Sequence, residues 1–319
     1  QQAFGKLTLA LPRVRVNGSI LWTPTKADGT LTAYDGATPN FINRAQSGLA
    51  ANIDRGYETD LTSGTGSVNI TLTPSSMLSA RGGVFRDKYN DTGIPLITPY
   101  TYGNSTESVN NIIPPSLQGP SGFPNTPRAQ ITDFDTTKRM TFDVEYLNVF
   151  DGAGTHSIQG GYGFQRTTND INSFYPGGYV NIFWGSTLPQ SGLTGTYGYY
   201  EVNDRWIANK AGNNIHSLFI EDQWNVNPRL TLNLGLRTEN EKIPTFRPEF
   251  LETAFQFGFG DKLAPRLGAA YDLHGDGRVK LFGSWGLYYD WTKYELVRGS
   301  FGAETWCIHY RGLETLDLG

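Results

Sequence analysis

Apolar and polar residues alternate with a period of two along much of this chain. The run Arg229 to Arg237 shows it most clearly, with Leu230, Leu232, Leu234 and Leu236 at every second position and Thr231, Asn233 and Gly235 between them. A strand gathers such leucines on one face, whereas a helix scatters them, so the run predicts a strand with one apolar and one polar face. Asn227-Pro228 joins it to Ile215 to Asn225, which alternates less cleanly. In a soluble sandwich the leucines would face a core. In a membrane barrel they would face lipid while their polar neighbours line a wet interior.

Four further hairpins follow the same rule, giving the boundaries 4–24, 66–88, 139–168, 213–241 and 263–290. Leu7, Leu9 and Leu11, then Val14, Val16, Ile20 and Trp22, flank the break at Pro12. Val68, Ile70 and Leu72 turn at Pro74-Ser75-Ser76 into Leu78, Ala80, Gly82 and Val84. Phe142, Val144 and Tyr146 turn at Asp151-Gly152-Ala153-Gly154 into Ile158, Tyr162 and Phe164. Arg266 to Leu273 turns at His274-Gly275-Asp276-Gly277 into Val279, Leu281, Trp285 and Leu287. The stretches 25–65, 89–138, 169–212, 242–262 and 291–319 have no sustained period and read as long loops; prolines crowd the second of them and could not sit in a paired ladder.

Short and long connections therefore alternate strictly, which puts every tight turn at one end of the strands and every long loop at the other. A soluble Greek key has no reason for this asymmetry, and outer-membrane barrels have it, with short periplasmic turns and long extracellular loops. The expected fold is an all-β, antiparallel, up-and-down transmembrane barrel portion of about ten strands, 1–319 forming one partial barrel domain. Trp22, Trp224, Trp285, Tyr288 and Tyr289 near strand ends suit interfacial aromatic girdles.

Composition narrows the classes further. The 319 residues include 38 glycines, with 13% aromatic and 18% charged residues and a net charge of -4. No Lys/Arg block stands out, so nucleic acid is not an expected partner. Cys307 is the one cysteine, which rules out a disulfide framework or a thiolate metal cluster within the chain. No apolar run reaches the roughly 18 residues a membrane helix needs, a limit that does not apply to strands. The N-terminus lacks a charged-then-apolar signal, so the chain reads as a processed or internal piece of a longer product.

Candidate chemistry is sparse. Asp272-x-His274-x-Asp276-Gly277 lacks the remaining ligand spacing and distal Glu of a calcium loop and reads as a tight turn. His156, His216, His274 and His309 fall on different elements without metal-ligand spacing, and no Gly-x-Ser-x-Gly elbow or phosphate-cradling loop occurs. No catalytic residue, metal site or cofactor is expected, and the protein is not expected to be an enzyme. The polar strand positions Arg15, Arg81, Asp143, Glu145, Asn233, Arg237, Arg266 and Lys280 are expected to face the lumen, joined by Asn17, Asn69 and Gln159. Loop 169–212 is aromatic, and Tyr179, Trp184, Tyr197, Tyr199, Tyr200 and Trp206 are the candidates for ligand capture outside the cell. The alternative is a loop whose rings pack on one another.

The segment Asp222-Gln223-Trp224-Asn225-Val226-Asn227-Pro228-Arg229-Leu230 through Glu239 resembles the barrel hairpin of TonB-dependent outer-membrane receptors. Leu263-Ala264-Pro265-Arg266 to Asp272, Gly275-Asp276-Gly277-Arg278 and Gly286-Leu287-Tyr288-Tyr289-Asp290 are similar to the next hairpin of their Oar-like branch, whose members often carry an N-terminal carboxypeptidase-regulatory-like domain. Leu78 to Gly83 and Asp91 to Pro95 look similar to an earlier part of the same barrels. The resemblance implies the cell outer membrane of a Gram-negative bacterium, a barrel of 22 strands, and an N-terminal plug pulled by TonB to import an extracellular solute. This chain lacks the plug and most of those strands, and the implied partners are outer-membrane lipid, the solute and, through a plug outside this chain, the TonB system. Two rivals remain: a non-transporting surface or scaffold protein that uses the barrel as anchor and its long loops for adhesion or assembly, and a secreted soluble β-protein or enzyme, whose leucine faces would pack together and which would need an active-site cluster.

Overall fold

The computed structural model describes residues 1–32, 52–92, 98, 100–104, 112–118, 132–175, 177–302 and 304–317. In chain order the strands are β1 (Ala3–Ala10), β2 (Val14–Thr32), β3 (Asn52–Thr73), β4 (Ser76–Thr92), β5 (Tyr100–Tyr102), β6 (Thr132–Asp151) and β7 (Thr155–Phe174). They continue with β8 (Tyr179–Trp184), β9 (Gly198–Asn227), β10 (Leu230–Pro244), β11 (Thr253–Phe257), β12 (Ala264–Asp272), β13 (Lys280–Gly286) and β14 (Glu304–Gly312), and a short helix α1 (Tyr294–Ser300) precedes the last. All belong to one 14-stranded sheet, whose main path runs β1-β2-β3-β4-β6-β7-β9-β10-β12-β13. Every neighbour on that path is antiparallel. The ten path strands are the ten strands of the five hairpins, and each joins its neighbour up and down. β1 and β13 are its two edges, so the path forms an open wall.

The register sorts residues into two faces. Val14, Ile70, Leu78, Tyr146, Gly160, Ile220 and Leu236 are successive cross-strand partners across seven strands. The adjacent row reads Asn17, Ser67, Arg81, Asp143, Gly163, Ser217 and Glu239. The wall thus has one apolar and one polar face, and among the described residues no second layer covers the apolar one: Ile20, Val84 and Ile220 are each more than half exposed. A contiguous exposed apolar sheet of this extent is untenable in water and is what a lipid-facing wall requires. The secreted soluble reading, which needs those faces to pack together, is thereby ruled out.

Apolar outward positions on β6 run from Phe150 to Met140, a ten-residue rise that at about 3.3 Å per residue and a tilt of roughly 40° spans about 25 Å. At the lower end, the rings of Phe150, His156 and Trp224 stack in sequence with centroids 5.2 and 5.1 Å apart. Tight turns close this end. Asn227 Oδ1 accepts the N–H groups of Arg229 and Leu230 at 2.9 and 3.0 Å, and Asp272 accepts those of His274, Gly275 and Gly277. The Asp272 carboxylate is therefore occupied by the turn's own backbone.

Above the apolar belt the strands continue where alternation predicts loops. β2 and β3 stay paired up to Thr32 and Asn52, and β9 begins at Gly198, inside the stretch read as loop 169–212. Water wets both faces there, so the ladder persists without any alternation in polarity. Parts of the expected loops 25–65 and 89–138, namely 33–51, 93–97, 105–111 and 119–131, lie outside the described residues. Conversely, β13 ends at Gly286, so Tyr288 and Tyr289 stand just beyond the strand that alternation extends through them.

Glycine makes room on the polar face at two positions. A Cβ at Gly161 would lie 2.7 Å from the ring of Phe219, which folds over the bare backbone. One at Gly163 would lie 2.6 Å from Ser217 Oγ and 2.8 Å from Asp143 Oδ1.

The two faces predict opposite responses to charge. In the intact protein, Leu234→Arg at mid-belt is expected to cost about 2–4 kcal/mol of folding stability in lipid vesicles. Asn233→Arg, one residue away on the polar face, is expected to leave it near the wild-type value. Urea titration of vesicle-inserted protein measures both.

Candidate functional site

The register puts Arg15, Arg81, Asp143, Glu145, Asn233, Arg237, Arg266 and Lys280 on the polar face, opposite the leucines. They do not form one cluster. Arg81 pairs with Asp143 at 3.3 Å and Glu145 at 2.7 Å, and Gln159 donates to Glu145 at 3.1 Å. This network borders a hollow of about 510 Å³ with Lys6, Asn17 and Thr141. Asn233 and Arg266 border another of about 280 Å³ with Glu221 and Gln223, and the Arg266 guanidinium lies 4.7 Å from the Tyr288 ring centre. Arg237 is bound to Glu239 at 3.0 Å. Lys280 faces Asp272, and Arg15 faces Asn69. The Arg81 pairs are too exposed to stabilise the fold much, so their effect is to keep the wall charged and hydrated.

The most enclosed arrangement lies higher, where the chain folds back over the polar face. β10 runs up to Pro244, and the following chain returns through Phe246 and β11, while the segment after β13 crosses the wall and enters α1. Val297 of α1 and Phe246 are fully buried against Ile171, Ala211 and Ile243, with Phe255 and Phe301 packed edge to face alongside. At β10, Lys262 reaches the carboxylate of Glu241; both are buried, and the ammonium lies 4.7 Å from the Phe257 ring centre.

Beneath this strap a cavity of about 480 Å³ opens between residues 290–298 and β4, β6, β7 and β9. Arg139, Lys293 and Arg298 bring positive charge to it, Asp135 and Asp290 negative charge. Arg298 meets Asp135 at 3.4 Å across the cavity, which fastens the strap to the wall. The Asn169 amide donates to Asp135 at 2.6 Å and Thr137 at 3.1 Å, which leaves its buried carbonyl oxygen with no hydrogen-bond partner. A buried acceptor of this kind costs about 1–3 kcal/mol unless something donates to it. Charge of both signs, an orphan acceptor and the Trp291 ring together suit a hydrophilic solute bearing hydroxyl or amine donors and an anionic group. Among the described residues no cluster of His, Cys, Asp and Glu could hold a metal ion.

The aromatic candidates divide. Trp184 and Tyr199 are buried, Trp184 against Tyr102 at 5.7 Å and Tyr199 stacked on Phe183 at 4.7 Å. Tyr197 and Tyr200 pack on the same cluster, built from Tyr102, Ile113, Ile182 and Leu313. Trp184 thus belongs to the core of an extracellular platform, with Tyr197 and Tyr200 half-buried against it, in which β8 and β14 pair with β9, and β5 with β8. Tyr179 is half-buried on β8, and Trp206 keeps 37% exposure on β9 opposite Phe174. Burial pushes the Tyr102 phenol well above its usual range. Asp135, Asn169, Lys293 and Arg298 of the cavity lie in stretches that alternation reads as loop, and Asn213 is the first residue of the fourth expected hairpin. The one visible signal was the continued spacing of Asp135, Thr137 and Arg139 at every second position.

A wall of alternating lipid-facing and polar positions, tight turns below and folded-back segments above, defines an outer-membrane β-barrel. The chain belongs to the outer membrane beta barrel domain family, which it matches over residues 22–304, and this places it in the outer membrane of a Gram-negative bacterium. It is 24% identical over 180 residues to the TonB-dependent transporter Oar of Myxococcus xanthus, a match covering 53% of this chain and 16% of that protein. Its fold is similar to that of Pseudomonas aeruginosa FpvA bound to heterologous pyoverdines, with a TM-score of 0.50 at 11% identity over 89% of this chain and 34% of that one. It also resembles the outer membrane transporter YddB of Escherichia coli, with a TM-score of 0.49 and 14% identity over 90% and 31% of the two chains. The chain therefore spans a minor part of the length of each.

Two predictions follow from the folded-back segments. Lys262→Met leaves Glu241 buried without its cation, a change that costs about 3–5 kcal/mol when one partner of a buried pair is removed. Amide exchange of residues 253–262 is expected to accelerate, while that of β4 stays unchanged. At the platform, Glu314 accepts both the hydroxyl and the N–H of Thr196, at 2.8 and 3.2 Å, and these bonds hold its carboxyl below the usual range. A depressed folded pKa means that this latch contributes stability above the unfolded pKa of about 4.3 and loses it as pH falls through the folded value. The Thr196 amide is expected to lose exchange protection below about pH 4, and Glu314→Gln to abolish that pH dependence.

Proposed function

We propose that this chain is part of the wall of an outer-membrane transporter that takes up a hydrophilic solute bearing an anionic group, with TonB supplying the energy through a plug outside this chain. The observation that carries the reading is the charged cavity between the polar wall and the strap at residues 290–298, with the buried Asn169 acceptor free to take a donor. In the proposed cycle the solute enters from the extracellular side, meets Arg139, Lys293 and Arg298, and passes along the polar face when the plug moves. No covalent chemistry is required. Trp206, the exposed one of the candidate aromatics, offers an outer contact, with Tyr179, Tyr197 and Tyr200 half-buried behind it. The polar positions from Arg15 to Lys280 line the path.

The open edges of β1 and β13 support the wider architecture. Unpaired backbone groups in hydrocarbon are too costly to leave, so further strands complete the ring. The likeness to the Oar transporter favours transport. The extracellular platform on β9 favours the second reading, a surface scaffold that presents loops for adhesion or assembly.

Depletion of solutes from growth medium separates the two. Cells with the intact protein are expected to remove a polar anionic solute that a deletion strain and a strain lacking TonB both leave behind. Arg139→Ala with Lys293→Ala is expected to slow that removal roughly tenfold or more, since each charged hydrogen bond contributes about 1.5–3 kcal/mol. Equal depletion by all strains, with loss of surface attachment on deletion, would establish the scaffold instead.

A further inference from the structure

We propose that the outward face of β4, β6 and β7 binds a phosphorylated lipid headgroup of the outer leaflet, lipopolysaccharide in this membrane, through Arg86, Lys138 and Arg166. The register sets Arg86 directly opposite Lys138 and sets Arg166 opposite Met140, two residues along from Lys138. All three have the parity of Leu78, Val144 and Tyr162, so they share the lipid-facing side. They also follow at once on Val84, Met140 and Phe164, the upper ends of the apolar runs of the belt, with Phe134 and Phe174 standing higher on β6 and β7. By the belt height derived above they stand at its upper rim, where headgroups begin.

Like charges directly opposite in a sheet repel, and the pair Arg86 and Lys138 is destabilising unless an anion is shared between them. The protein supplies only part of that anion. Asp60 meets Arg86 at 3.1 Å and is itself held by the Trp22 indole at 2.9 Å and Thr62 at 3.1 Å, yet the buried Nε of Arg86 has no partner. Among the described residues, Lys138 and Arg166 are exposed and have no carboxylate partner. Asp170, on the same face of β7, stands opposite Lys210.

Lys88, one outward position above Arg86, stands opposite Asp60 and belongs to the same patch, whereas the outward cations farther away face carboxylates. Lys26 has Asp28 at 3.6 Å and Glu58 at 3.3 Å, and Lys242 has Glu252 at 2.9 Å. The uncompensated charge is thus local. Adjacent strands lie about 4.8 Å apart, so three neighbouring strands place the cations within about 10 Å of one another, a spread that phosphates on one headgroup can bridge. Directly below, Val84 and Met140 are each 53% exposed and offer a bed for acyl chains. Phosphate above and hydrocarbon below is the chemistry of an amphiphile, which distinguishes this patch from a site for a soluble anion. The inference rests on the outer-membrane setting and is independent of what the barrel transports.

The test uses the intact protein in mild detergent, with native mass spectrometry to measure binding of bisphosphorylated lipid A. Lys138→Gln with Arg166→Gln is expected to weaken binding at least about tenfold, the loss of two charge-assisted contacts. Lys26→Gln is expected to bind as wild type does. Dephosphorylated lipid A is expected to bind wild type as weakly as the double variant binds the phosphorylated lipid, a comparison that needs no variant to fold. Millimolar inorganic phosphate is expected to leave the complex intact. Equal affinity of wild type and double variant, equal binding of the two lipids, or displacement by inorganic phosphate would each overturn the proposal.

Discussion

Within hydrocarbon every backbone N–H and C=O must find a partner inside the protein, because no water is present to take its place. That constraint dictates the ten-strand antiparallel path, and the pleat then does the rest. Once the ladder is fixed, residues at every second position must meet lipid and the others must not, and a slip of one residue would turn the whole leucine set inward. The row from Val14 to Leu236 and the adjacent row from Asn17 to Glu239 are two sides of one registration, held in common by seven strands. Stability in the belt is therefore a property of the wall and not of a buried core.

Above the belt the source of stability changes. There the chain buries apolar groups in the ordinary way, Val297 and Phe246 in one cluster and Trp184, Tyr102 and Ile182 in another. These small cores fold the extracellular segments onto the wall and the platform, and they position charges that the wall alone would leave scattered. The Lys262–Glu241 pair is buried where β11 pairs beside β10 and the chain beyond it brings Lys262 back to Glu241. Lower down, the exposed Arg81 network needs no such cover and gains little energy from its pairing.

This division explains what the sequence made legible. Where lipid touches one face and water the other, polarity must alternate, and the five hairpins, their tight turns and the polar-face positions from Arg15 to Lys280 could all be read from a period of two. Where water touches both faces the ladder is unchanged but the constraint on side chains is gone. The upper half of β9 and the extensions of β2 and β3 were accordingly read as loop. The cavity residues Asp135 and Asn169 lie in that silent zone, and Lys293 and Arg298 come from a segment more than a hundred residues away from both. Tyr199 and Trp184 show the converse: aromatic content was legible, but whether a ring meets a ligand or another ring depends on β5, β8 and β14 assembling together.

The strap over the cavity joins two interactions of unequal strength, and the inequality bears on how a solute could enter. Val297 is fully buried, so the apolar anchor of α1 would be costly to withdraw. The Arg298–Asp135 contact is long at 3.4 Å, and both side chains keep about a third of their exposure, 29% and 32%. An ion pair so placed contributes about 0–1 kcal/mol, which a competing anion can match. On the proposed reading, a solute carboxylate or phosphate takes Asp135's place at Arg298 while α1 stays seated, and Asp135 remains held by the Asn169 amide. Recognition then requires exchange of one weak partner and no unfolding of the strap.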